Sequence, residues 1–588
     1  MLILARKVTA AIICWSIDLK KLINQIQTIV PEMLAGVSML NPGVSLLEGY
    51  TIAVRSDVES LKARHEVALI SGGGSGHEPA HAGYVGPGLL TAAVAGDVFT
   101  SPSTDAVLAA IEAVAGPAGV LLIVKNYTGD RLNFGLAAEI ARSQGHRVEM
   151  VVVDDDASLS LKGEHAGRRG IAGTVLVHKV AGGVAAQGGT LQQVKDAALK
   201  AIDHVSTMGV ALSACTVPAV GAASFTLGAD EMELGLGIHG EQGVRRAPID
   251  QADGVVDVLL NTLLEDLALT SGDRIALLVN NLGSTPGLEL TIVAHSAIRQ
   301  LTAKGIQIER CWSGTFLTAL EMAGVSISLL KLDDALLNAL DVQADTSAWP
   351  ASHKGWIQTR PSYIQCATSA SLPKMNASFL STRAQQNHKI LLAVASALEA
   401  AESELTQLDL RVGDGDLGIS LARGANAIRA EIQTYPLDDW AAILQALSAT
   451  LRKALGGTSG PLYAIGLLCA AQSLNNDPAQ FGLALQAAID GIARVGGARH
   501  GDRTMLDALI PAAQVLLEDR ANMHIGTPAL MLAVHAAHQG TQDTAQRVAK
   551  QGRSSYIGER AMGHMDPGAR AVVIWLQAIA EALTDQPS

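Results

Sequence analysis

Aromatic residues are scarce in this chain: Trp, Tyr and Phe together make up 3% of its 588 residues. Its interior must therefore be built from small aliphatic side chains. Cysteine is scarcer still, with five scattered residues (Cys14, Cys215, Cys311, Cys366, Cys469) and no C-x-x-C pair. An odd, unclustered set argues against a disulfide framework and a zinc site and suits a reducing compartment. The dipeptide Gly-Lys never occurs, which removes the G-x-x-x-x-G-K-[ST] phosphate loop. Basic residues are outnumbered, 43 Lys and Arg against 56 Asp and Glu, for a net charge of −13, and no long basic run appears. That balance argues against nucleic acid as a partner. An acidic protein that handles phosphates needs metal ions or backbone N–H groups to offset the repulsion.

Long apolar runs are missing too. Residues 8–17 follow Arg6 and Lys7, but ten residues cannot span a bilayer. The uncharged stretch 205–229 carries Pro218, several glycines and many Ser and Thr, and reads as buried strand and loop. No membrane partner is expected, and the chain reads as cytoplasmic. Apolar residues reach 48%, which excludes intrinsic disorder, and the length calls for two or more domains.

The first 330 residues alternate β-branched runs with helical patterns. Val67–Ile70, Val120–Val124, Val148–Val153 and Ile275–Val279 predict strands, and Leu132–Gln144 and Leu191–Met208 predict helices. This is an α/β pattern, with ligand loops expected at the carboxyl ends of the strands. From about 341 to 380 no periodicity survives, and beyond it the segments 388–405, 439–455, 480–495 and 568–583 are amphipathic at a 3.6 period. The reading is an α/β domain followed by an all-α domain.

Two motifs are decoys. HEPAH (77–81) satisfies H-E-x-x-H, but Pro79 disfavours the continuous helix that zinc chemistry needs. GLGIHG (235–240) satisfies G-x-G-x-x-G, yet no strand pattern is read in the preceding ADEMEL and no ribose-binding helix follows.

Three other loops of the first domain combine glycine with ionisable groups. SGGGSGHEPAHAGY (71–84) is read as a loop after the strand at 67–70, with His77 at its exit. KNYTGD (125–130) places Lys125 and Asp130 at a strand's carboxyl end, and GIHGEQG (237–243) presents His239 between glycines. Singly each is a tight turn; together they favour an active site. In the second domain, Asp409, Asp414 and Asp416 crowd three carboxylates into eight residues, which suits Mg²⁺ and phosphate oxygens. GGTSGPLY (456–463), VGGARHGDRTMLD (495–507) and HMDPGARA (564–571) each open an apolar helix, where anions bind.

Taken together, these residues resemble the single-chain, ATP-dependent dihydroxyacetone kinases. The motifs that carry the resemblance are SGGGSGHEP, AGDVFTSP, KNYTGD, GRRG (167–170), ACTVPA and GIHGE, then GDGDLG, GGTSG, GDRTMLDALIPA and DPGA. The resemblance implies an extension over 1–18, a dihydroxyacetone-binding domain over 19–345, a linker over 346–382 and an eight-helix nucleotide-binding barrel over 383–588. It implies that His239 forms a covalent hemiaminal with the ketone, that His77 acts as acid/base, and that Asp130 assists. Gly74, Ser75, Gly76 and Lys125 would contact the substrate. Asp409, Asp414 and Asp416 would hold Mg²⁺, and ATP would touch Asp414, Gly415, Asp416, Leu417, Thr458, Ser459, Gly496, Thr504, Met505, Asp566, Pro567 and Gly568. A homodimer through the first domain is expected. The activity implied is phosphorylation of dihydroxyacetone, and of glyceraldehyde too. The alternatives are a kinase for a larger ketose such as erythrulose, or a transferase recharged by a phosphocarrier protein.

Overall fold

The computed structural model describes residues 20–159, 167–241, 243–350, 358–362, 381–413, 415–455, 458–477, 480–518, 527–551, 553–556 and 558–584. The chain divides into two units, 1–364 and 365–588. The expected extension over 1–18 lies outside the described residues.

In the first unit, strands β1–β6 are Val44–Leu46, Ile52–Arg55, Ala68–Ser75, Ala92–Val98, Val120–Lys125 and Val148–Val153. They form one sheet in the order β1-β2-β4-β3-β5-β6, with β4, β3, β5 and β6 parallel. Strands β7–β12 are Val205–Ala211, Glu231–Leu234, Arg245–Pro248, Arg274–Asn281, Gln307–Gly314 and Gly324–Lys331. Their order is β11-β10-β12-β7-β8-β9, and only β10 and β11 run parallel. Helices α1–α9 are Ile29–Leu40, Val58–Ala63, Thr104–Val114, Thr128–Ser143, Thr174–Ala186, Leu191–His204, Ala252–Asp266, Gly287–Ala303 and Asp334–Asp341.

The layers are set by which faces are apolar. Helix α5 is apolar nearly all round and buried along its length, and with α6 it fills the space between the sheets. Helices α3 and α4 cover the outer face of the first sheet, and α7 and α8 that of the second. Residues 344–349 pack onto this unit, with Ala344 and Trp349 in its core and the Asp345 N–H donating to the Pro87 carbonyl at 3.0 Å.

Three local readings change. The glycine run 72–74 is not a loop: β3 continues through Ser75 and pairs with β4, because small residues on both strands let the backbones meet. The helix expected to Met208 stops at His204, where β-branched Val205 and Thr207 start β7. A strand, β8, does precede GLGIHG, but it is antiparallel to β7 and β9 and leads into a loop, so no dinucleotide-binding unit exists there. HEPAH forms a turn, in keeping with Pro79.

The second unit is helical throughout its described residues. Helices α10–α18 are Thr382–Ala400, Glu402–Val412, Leu417–Glu431, Trp440–Ala454, Ser459–Asn476, Phe481–Gly496, Leu506–Glu518, Thr527–Thr544 and Pro567–Thr584. Eight of them close a ring in the order α10-α12-α13-α14-α15-α16-α17-α18 and back to α10, and α11 lies against α12 and α18. The ring's core is built mainly from Ala, Leu, Ile and Val, which is how a chain poor in aromatics packs helices closely.

Candidate active site

The carboxyl ends of β3 and β5 lie side by side and deliver the polar groups of the first unit. His77 comes directly after β3. Its Nδ1–H donates to the Thr318 carbonyl at 2.8 Å, which fixes the tautomer and leaves the lone pair on Nε2, a buried atom with no partner. Burial, aided by the charge of Lys125 and by His239, holds the His77 pKa well below the ordinary histidine value. The ring of His239 stands 4.8 Å from that of His77, tilted by 71°. Burial, then the charges of Lys125 and Arg169, push its pKa down to about 3, so it is a neutral imidazole at physiological pH. Its backbone N–H donates to Glu241 Oε2 at 2.8 Å, which shapes the GIHGE turn.

Lys125 closes β5 and is buried, with no hydrogen-bond partner for Nζ, 5.7 Å from the centre of the Tyr127 ring. Burial lowers its pKa, and Asp130 in the first turn of α4 opposes that shift. The Asp130 pKa is raised by burial against the pull of Lys125 and of Ser101, whose hydroxyl donates to Oδ1. His77, His239, Lys125 and Asp130 thus occupy one site. The glycine run contributes differently. The Ser75 hydroxyl donates to the Gly96 carbonyl at 2.7 Å and the Gly76 N–H to the Glu78 carboxylate, so both groups are spent within the fold. Gly74 lets the backbone of Phe99 and Thr100 approach.

Sequence reasoning missed Phe99, Tyr127, Thr318, and the buried trio Ser71, His81 and His178. Phe99 and Tyr127 sit inside the motifs AGDVFTSP and KNYTGD and were within reach of it. Thr318 is brought in only by tertiary structure.

In the second unit, a cleft of about 470 Å³ opens at one end of the ring. Asp409, Asp416, Leu417, Thr458, Ser459, Gly496, Thr504, Met505, Asp566 and Gly568 all line it. The N-termini of α12, α14, α16 and α18 converge there, which favours anions. Gly415 and Pro567 belong to the same loops but are not among its lining residues, and Asp414 lies outside the described residues. Asp409 accepts the Leu417 N–H at 3.1 Å, which turns α11 into α12. Asp566 receives the Ala569 N–H at 2.7 Å, and burial raises its pKa to about 6. The sequence reading missed Arg503, Tyr463, Gln551 and Ser554. Arg503 is buried and donates to the carbonyls of Thr544, Ala561 and His564, and its Nη1, unpartnered, belongs to a residue that lines the cleft. Carboxylates from Asp409 and Asp416, four helix N-termini and an unpartnered guanidinium nitrogen form a donor set that fits Mg²⁺ with a nucleotide.

Residues 35–348 match the Dak1 domain and residues 411–581 the DAK2 domain. The chain belongs to the dihydroxyacetone kinase family. Family relatives include the "Triokinase/FMN cyclase" of Rattus norvegicus, 42% identical over 96% of this chain and 99% of that one. The "Dihydroxyacetone kinase" of Citrobacter freundii is 39% identical over 95% of this chain and 98% of its own. The solved structure of the C. freundii enzyme with AMP-PNP and Mg²⁺ superposes with a TM-score of 0.62 at 38% identity, covering 96% of this chain and 99% of that chain.

Proposed function

We propose that this chain transfers the terminal phosphate of Mg–ATP to a hydroxyl of dihydroxyacetone, held meanwhile as a hemiaminal on His239. The observation that carries this reading is the pairing of two neutral imidazoles with different tasks. His77 is locked as the Nδ1–H tautomer with a free Nε2, and His239 stands beside it. A neutral imidazole nitrogen attacks the carbonyl carbon, the C=O π pair moves to oxygen, and the proton on the other ring nitrogen ends on that oxygen. Neutral hemiaminal results, with no other reactant. Glycerol offers no carbonyl, so selection rests on reactivity where hydroxyl shape alone would separate the two poorly.

Nε2 of His77 takes the proton of the terminal hydroxyl as it attacks phosphorus, and Lys125 and Asp130 orient the held triose. In the second unit Asp409, Asp414 and Asp416 would hold Mg²⁺, which would supply charge neutralisation for the phosphoryl group. Thr458, Ser459, Thr504 and Gly568 frame the nucleotide in the cleft. The chain works as a cytoplasmic homodimer paired through its first unit, a state that sedimentation of the purified protein measures.

Purified protein given ATP, Mg²⁺ and dihydroxyacetone, with no phosphocarrier, should release ADP, and glycerol should not replace the ketone. ADP release with glycerol as readily as with dihydroxyacetone would sink the proposal. A panel of dihydroxyacetone, glyceraldehyde and erythrulose ranks the acceptors.

A further inference from the structure

Phe99 holds a backbone conformation that a bulky residue rarely adopts, with φ at +57° in the left-handed region. The end of β3 is built around it. A Cβ on Gly74 would lie 2.7 Å from the Phe99 Cα, and one on Gly76 would lie 2.8 Å from the Phe99 Cε1. The Phe99 N–H donates to the Ser75 carbonyl at 2.9 Å. So seated, the phenyl ring stacks on His77 with centroids 5.2 Å apart and planes 19° apart. It meets His239 nearly at right angles, 5.3 Å away at 85°. Tyr127 closes a third side of His239 at 4.4 Å and 84°. Among the described residues no hydrogen bond reaches a ring nitrogen of His239, and the rings of His77, Phe99 and Tyr127 pack against it on three sides.

We propose that Phe99 is a positioning residue that fixes the planes of the two imidazoles relative to each other. The inference rests on the reading of His239 as the nucleophile. The nitrogen lone pair of an imidazole lies in the ring plane, so attack on a carbonyl carbon demands a set ring orientation. A hydrogen bond to His239 could set that orientation only by occupying the nitrogen that reacts or the one that must release its proton. A flat apolar ring sets it and leaves both nitrogens open. Because the same ring stacks on His77, it ties the base to the nucleophile. Strained backbone persists where the surroundings over-determine it, and here two glycines and a strand end do so.

The test uses the full-length protein with Phe99→Leu, Phe99→Gly and Phe99→Tyr, each read by steady-state kinetics, thermal melting and ¹³C NMR of dihydroxyacetone labelled at C2. Leu keeps apolar bulk without a flat face, and Gly relieves the φ of +57°. Both should lose about 100-fold in kcat, the scale of a 1 Å misplacement. The tetrahedral C2 signal should form more slowly, while KM for ATP is unchanged. Phe99→Tyr should recover most of the rate. Wild-type kcat and adduct formation in Phe99→Leu would overturn this inference alone, as would equal losses of melting temperature and ATP binding in every variant. Absence of the tetrahedral signal in the wild type would overturn the His239 reading and this one with it.

Discussion

The ring of His77 donates its Nδ1–H to the carbonyl of Thr318, 241 residues further along the chain, at 2.8 Å. This contact, not the glycine-rich end of β3 beside it, decides which nitrogen is the base. Replacing His77 with Ala should lower kcat by about 10²–10⁴-fold, the usual share of a general base. The ketone adduct on His239 should persist, because His77 is not the covalent residue. Kinetics paired with intact-mass or NMR detection of the adduct checks both halves.

Four buried imidazoles make the first unit sensitive to acid. Burial holds His77 and His81 well below the ordinary histidine value, and holds His178 and His239 at about 3. The unfolded chain binds protons on these groups near pH 6.5 and the folded chain does not, so stability falls as pH drops below about 6.5. Each contributes a slope of about 1.4 kcal/mol per pH unit until its folded pKa is reached. Asp155 pulls the other way: its pKa is raised by burial to about 6, so it adds stability as pH falls from about 6 toward 3.8. Burial raises Glu78, Asp130 and Asp156 in the same direction as Asp155, but the imidazoles charge in the unfolded chain from about pH 6.5, above the point where Asp155 takes its proton, so the loss leads. Chemical denaturation at pH 7.5, 6.5 and 5.5 should give a midpoint that declines below 6.5.

Asp409 links the metal site to the fold through the Leu417 N–H. Asp409→Asn keeps an oxygen for that bond and removes the charge. Mg–ATP affinity, measured by calorimetry, should fall at least the ~10–100-fold that loss of an outer-shell partner costs at metal sites. Dihydroxyacetone binding should not change. Unaltered nucleotide affinity would remove Asp409 from the set of ligands.

Arg503 supports the cleft from beneath. Its guanidinium pairs the carbonyls of Thr544, Ala561 and His564, and its backbone φ is +64°. Arg503→Met leaves those acceptors without their donor at a cost of about 1–3 kcal/mol for each one that stays buried. The second unit should melt several degrees lower, and nucleotide affinity should fall with it because Asp566 lies just beyond the His564 carbonyl that Arg503 holds.

The sequence made the chemistry more legible than the geometry. Periodicity predicted Val148–Val153 as a strand, and it is β6; the four amphipathic segments of the second half are helical, the first of them divided at Ala401 between α10 and α11. His77, Lys125 and Asp130 sit together because the carboxyl ends of the parallel strands β3 and β5 gather the segments that leave them, and His239 joins them from the loop after antiparallel β8. The hidden part depends on distant partners. Gly72–Gly74 read as a loop because strand propensity is low for glycine, yet β4 on one side stabilises them as strand. Thr318, which sets the tautomer of His77, carries no local signal at all. Arg503 stands inside the motif GDRTMLD with no local sign of burial, and it is buried.

Ser71 offers the last and sharpest case. Its one hydroxyl proton goes to the Ile123 carbonyl at 2.7 Å, so toward any other neighbour its oxygen only accepts. His178 Nε2 lies 3.1 Å away and His81 Nδ1 3.4 Å away, and each must therefore be the protonated nitrogen of its ring. The two histidines are thus held as opposite tautomers beneath Lys125, with His178 Nδ1 and His81 Nε2 left as buried lone pairs. Nitrogen-15 NMR of the ring nitrogens should resolve one Nε2–H and one Nδ1–H histidine. Ser71→Ala removes the shared acceptor and strands two buried N–H groups, at about 1–3 kcal/mol each if no water reaches them. Its spectrum should lose the fixed pair of tautomers, and two identical tautomers in the wild type would refute the assignment.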